Sequence, residues 1–131
     1  MIYKRGEMYA PEMATQERDY SGLRWGKMTP TDIDGLIDFW GKAWVLFELK
    51  HIGAQMPDGQ RIAFERLVDD LDITKPSIAF IAEHDICDVI DAANATVTKF
   101  RWSKKWIEET RGMTLKEAID SFLKQRGVSL V

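Results

Sequence analysis

Thr31 to Lys50 reads TDIDGLIDFWGKAWVLFELK, and the fold turns on how this stretch pairs with itself. Ile33, Gly35, Ile37 and Phe39 alternate with Asp34, Leu36 and Asp38, the period of a half-buried strand. Trp40-Gly41-Lys42 supplies a turn with a glycine for positive φ. Ala43 to Ile52 is rich in aromatic and β-branched residues and reads as a second strand. A three-residue loop centred on Gly41 places Asp34 opposite Glu48 and Asp32 opposite Lys50, with Asp34, Glu48 and Lys50 on one face. A two-residue loop sends the acids to opposite faces. Sequence leaves both registers open.

Downstream, Asp58 can cap a helix in which Phe64, Leu67, Val68 and Leu71 fall at helical spacing. Gln60 stands at the start of the same inward stripe. Lys75-Pro76 closes that element, and Ser77 to Ala82 (SIAFIA) reads as a buried strand. Ala95 to Trp102 is a further strand. Thr114 to Lys124 is a helix, opened by a Thr114–Glu117 capping box and ended by Gly127. Upstream, Asp19 to Gly22 reads as a turn, and Pro11 to Tyr20 as a short helix or an ordered arm. The expected class is α/β (α+β), a small mixed β-sheet flanked by helices, in a single domain over residues 1–131.

Composition narrows the function classes. A hydrophobic fraction of 45% and five Trp indicate a packed globule. No apolar run approaches the ~18–20 residues of a membrane span, so no membrane partner is expected. The start, MIYKRGEMYAPEM, has no apolar run behind its basic residues and does not read as a secretion signal. Cys87 is the sole cysteine, which points to a cytoplasmic protein without disulfides. His51, His84 and one Cys give no zinc spacing. The net charge of -3 argues mildly against nucleic acid, but its distribution is uneven. Seven acids face one Lys between Leu67 and Thr96, whereas Lys99, Arg101, Lys104 and Lys105 lie together without an acid. Phe100, Trp102 and Trp106 interleave with them. That stretch reads either as a phosphate-tracking edge with stacking aromatics or as an edge strand whose lysines discourage aggregation.

Two carboxylates held together repel each other, so the grouping is costly unless a cation or Lys offsets it. Asp34 opposite Glu48, with Lys50 two residues on, suits magnesium (or manganese), which takes oxygen ligands and needs one or two protein carboxylates. Such an ion steadies a charged phosphoryl transition state, and Lys50 orients the attacking water or the developing charge. The bland reading of the same residues is a surface salt-bridged hairpin face.

These residues, IDGLIDF followed by VLFELK, resemble the PD-(D/E)XK nuclease superfamily, the restriction-endonuclease-like fold. The resemblance covers about residues 28–84, with 95–126 as a C-terminal strand and helix. It implies a core of helix, three antiparallel strands, helix and strand. The second and third core strands would be Thr31–Phe39 and Ala43–Ile52, the helix Asp58–Asp72 and the last strand Ser77–Glu83. It further implies Asp34 and Glu48 as metal ligands, the Leu49 carbonyl as another, and Lys50 as the catalytic lysine. Gln60 with Phe64 is similar to a QxxxY helix motif that positions DNA, with Phe in place of Tyr. The proline expected before the first acid is absent, since Ile33 precedes Asp34, which keeps Asp32 and Asp38 open as ligands. Glu12 and Glu17 are candidates for the acid of the leading helix. The short chain also resembles phage-encoded nucleases and Holliday-junction-resolving enzymes. The expected activity is metal-dependent hydrolysis of DNA phosphodiester bonds, with catalytic Asp34, Glu48, Lys50 and Gln60, and with a homodimer or protein partner assisting recognition. The rivals are a non-catalytic DNA- or protein-binding regulator on the same scaffold and a single-stranded nucleic-acid binder using 99–106.

Overall fold

A computed structural model describes residues 17–130, in two compact units, Met1–Pro30 and Thr31–Val131. Glu12 and most of Pro11 to Tyr20 lie outside the described residues. The described part of the first unit is built from turns. Asp19 accepts from the Ser21 N–H at 2.9 Å and Leu23 N–H bonds Tyr20 C=O at 2.8 Å, the turn expected at Asp19 to Gly22. Trp25 and Met28 bridge each other across Gly26, whose φ is 64°.

The second unit is a mixed five-stranded sheet with two helices, a general α/β architecture. Its elements are β1 (Gly35–Asp38), β2 (Trp44–His51), α1 (Asp58–Thr74), β3 (Ser77–His84), β4 (Thr96–Trp102), β5 (Lys105–Glu108) and α2 (Leu115–Gln125). Strand order follows chain order. β2 and β3 run parallel across the α1 crossover, and the other neighbours are antiparallel. β3 is buried along Ser77–Ala82, as a central strand covered on both faces must be.

The hairpin adopts the three-residue register: Gly35 pairs with Phe47 and Asp38 with Trp44. Trp40 and Gly41 both have positive φ, 57° and 70°, and the Asp38 carboxylate accepts from Gly41 N–H at 2.7 Å. This backbone twist matches that of the strands, and it leaves Trp40 83% exposed at the tip. Gly35 carries no side chain because the Phe47 ring lies over it; a Cβ there would fall 2.0 Å from the ring.

Side chains alternate between two cores. Val45, Ile78, Phe80 and Val97 meet Leu115, Ile119 and Phe122 of α2. Leu46, Ala79 and Ile81 meet Phe64 and Val68 of α1. The α2 capping box is formed, with Thr114 Oγ1 and Glu117 exchanging bonds with each other's backbone N–H groups. Gly127, φ 66°, ends α2, with Val128 N–H reaching back to Leu123 C=O.

Three expectations need correction. The N-cap of α1 is Pro57, and Asp58 is a first-turn acid without a capping bond, because the extended backbone at Pro57 starts the helix one residue early. Paired strand begins at Gly35 rather than Thr31, because side-chain carboxylates replace the ladder bonds upstream. A fifth strand, β5, follows a turn in which Ser103 and Lys104 take φ of 54° and 64°.

Candidate functional site

The register carries Asp34 to the position opposite Glu48, just beyond the last paired residues of the hairpin. There the two acids interlock with backbone. Asp34 N–H points at Glu48 Oε2 (3.4 Å), and Leu49 N–H donates to Asp34 Oδ2 (2.7 Å). Glu48 projects to the α1 side of the sheet and is 4% exposed, whereas Asp34 is open to solvent. Burial first, and then the nearby Asp34 charge, raises the Glu48 carboxyl above the ordinary glutamate value of 4.5; the Lys50 ammonium opposes this.

Lys50 follows on the same face. Its Nζ lies 3.7 Å from Glu48 Oε1 and donates to Gln60 Oε1 at 3.3 Å. Gln60 sits in the first turn of α1, and its Nε2 donates to Asp32 C=O at 3.1 Å. The helix start, the approach to β1 and the end of β2 are thereby tied at one point. Asp34, Glu48, Lys50 and Gln60 converge, so this is no solvated surface pair. Asp32 contributes its carbonyl. Asp38 is committed to the turn at the opposite end of the hairpin.

From Lys50 a groove of about 390 Å³ runs along the sheet, bounded by Asp58, Arg61, Glu83, Lys99, Trp106 and Glu108 among others. Of the four basic residues expected to track phosphate, Lys99 lines this groove, with Nζ 5.2 Å from the Trp106 ring centroid. Arg101 is occupied: Asp69 accepts from it at 3.0 and 2.7 Å, with Glu65 at 3.5 Å, which raises its pKa further. Lys104 is in the β4–β5 turn. Lys105 pairs with Trp102 and alternates to the face opposite Trp106. His51 packs edge-on against His84, centroids 5.7 Å apart.

Sequence reasoning missed Glu83, which pairs with Lys50 across the parallel strands and lines the same groove. Its signal was an acid at the end of a buried strand adjoining the site strand. The Glu65–Arg101–Asp69 network was also missed, since it joins α1 to β4 across some thirty intervening residues.

Among the described residues, no group of three or more His, Cys, Asp or Glu side chains is arranged to hold a metal. The pair Asp34–Glu48 does offer carboxylate oxygens within one hydrogen-bonded cluster, and a magnesium ion bound through two carboxylates fills its remaining positions with water and substrate oxygens. No described helix is long and apolar enough to cross a membrane. No protein-family model matches the chain, and neither a curated protein nor a solved structure does.

Proposed function

We propose that the chain is a metal-dependent nuclease that hydrolyses DNA phosphodiester bonds, on a scaffold resembling the PD-(D/E)XK core. The observation that carries this reading is the meeting of a buried Glu48, its carboxyl held above the ordinary glutamate value by burial and by Asp34, with Asp34, Lys50 and Gln60 beside an open groove. Hairpin, helix and strand stand in the order expected for the last four core elements of that family, while the described residues before β1 hold no further sheet strand. Asp34 and Glu48 would hold magnesium or manganese, with the Leu49 carbonyl as a further oxygen on the same strand. Such an ion polarises the scissile phosphate and lowers the pKa of bound water. Lys50 presents its Nζ protons to the water or to the charge that develops on phosphate oxygen. Gln60 fixes that ammonium and offers its amide to the DNA backbone. Lys99 extends the positive edge along the groove.

A second reading is a non-catalytic protein-binding regulator on the same scaffold. Glu83 and Glu108 in the groove favour it, because they repel phosphate. Two measurements divide the readings. Under the nuclease reading, manganese at about 100 times its Kd stabilises the protein by ~2.7 kcal/mol, and the gain disappears in Glu48→Gln. Supercoiled, single-stranded and branched DNA are then cut by the wild type with manganese and not by Lys50→Ala. A melting shift without cleavage of any of these supports the regulator. No melting shift, or equal cleavage by Lys50→Ala, overturns the nuclease.

A further inference from the structure

The stretch Tyr20 to Met28, YSGLRWGKM, carries two cations and no acid, on a chain whose net charge is -3. All of it is exposed, including its four large apolar side chains, Tyr20, Leu23, Trp25 and Met28. Large apolar groups left open together mark an interaction site. The backbone beneath them is pinned. Trp25 and Met28 exchange both N–H···O=C bonds, at 2.9 and 3.0 Å, across a two-residue turn, and Gly26 supplies the positive φ that such a turn asks of its first central residue. Facing residues of an antiparallel pair project to one side, so the Trp25 ring, 63% exposed, and the Met28 thioether, 69% exposed, form one apolar platform. Arg24 Nε donates to Gly26 C=O at 3.1 Å, which holds its guanidinium at the same turn as Lys27. Among the described residues no carboxylate pairs with Arg24 or Lys27. Asp19, the acid just upstream, takes the Ser21 N–H instead.

We propose that this turn binds single-stranded nucleic acid. An unpaired base stacks on the Trp25 ring, and Arg24 and Lys27 take the phosphates on either side of it. Flat bases joined by a polyanionic backbone need this pairing of open ring and free cations, and every base has a face that can stack. A duplex hides those faces in its own stack, so the platform favours single strands. A bilayer suits it less, because anchoring at a membrane surface grows with buried apolar area and this platform is two side chains wide. The contact uses neither the Asp34–Glu48 pair nor a metal, and it stands independently of the nuclease reading.

The test follows the fluorescence anisotropy of labelled oligo(dT) on titration with the full chain in EDTA, where metal-dependent cleavage is switched off. Trp25→Ala should weaken binding about tenfold, and Trp25→Phe, which keeps a flat ring, should retain most of it. Arg24→Gln combined with Lys27→Gln should lower the slope of log affinity against log salt by about 1.4, at ~0.7 for each phosphate of a single strand. All three side chains are exposed, so these variants keep the fold, which unchanged urea midpoints verify. Absence of binding by the wild type overturns the proposal. So does undiminished binding by Trp25→Ala, or a salt slope that the double variant leaves unchanged. Trp25-dependent sedimentation with phosphatidylserine vesicles, together with no such dependence on oligo(dT), would overturn it in favour of a membrane surface.

Discussion

Along β2 the side chains divide between Val45, Phe47 and Leu49 on the α2 side and Leu46, Glu48 and Lys50 on the α1 side. The two faces share strands but hold their helices by different means. α2 buries Leu115, Ala118, Ile119, Phe122 and Leu123, an apolar stripe with charge kept outside. α1 buries only Phe64 and Val68. Leu67 and Leu71 add partly buried apolar contact, and the rest of its attachment is polar: Asp69 and Glu65 hold Arg101, Glu65 accepts from Trp106 Nε1 at 3.3 Å, and Gln60 holds Lys50. Apolar burial is non-directional and tolerates sliding; hydrogen-bonded charge fixes position. The α2 face thus supplies most of the stability, and the α1 face places a helix start accurately against two acids.

The comparison can be broken at three points, in descending order of effect. Phe122→Ala empties the apolar core and should cost about 3–5 kcal/mol in urea unfolding, nearly independent of salt. Arg101→Met strands Asp69 without its cation, while Glu65 keeps Arg61, and should cost roughly 2–3 kcal/mol. Urea midpoints in low and high salt would check it; a loss below 0.5 kcal/mol, the scale of surface substitutions, would show that the ionic attachment of α1 is dispensable.

The smallest effect has the opposite sign. Glu48 holds its proton more tightly folded than unfolded, so its contribution to stability is full below pH 4.5 and is lost as pH rises through the raised folded value. Glu48→Gln should therefore raise Tm at pH 7 and leave it little changed below pH 4. A lower Tm at pH 7 would mean that the ionised carboxylate is well accommodated and carries no strain from Asp34.

The hairpin register was legible only as one of two, because Gly41 marks a loop without giving its length, whereas β2, β3 and α2 were legible from periodicity and capping residues. β5 was not. Its turn needs positive φ at two successive residues, a task usually given to Asn-Gly, and Ser103-Lys104 carries no such signal. The cost of a left-handed Lys104 is met by the pairing on either side of it. Arg101 was grouped with its basic neighbours because sequence shows charge and not partner; only the packing of α1 over β4 brings Asp69 to it. The convergence of Asp34, Glu48 and Lys50 could be drawn from strand geometry, whereas the burial of Glu48 required knowing that α1 covers that face.

The carboxylates of Asp34 and Glu48 are also the fasteners of the chain where it enters the sheet, since each engages a main-chain amide of the other strand. Any cation drawing on those oxygens competes with the Leu49 and Asp34 amides. Ligation and the ordering of residues 31–34 therefore share one set of lone pairs, and the exchange rates of those two amide protons become a gauge of how full the site is.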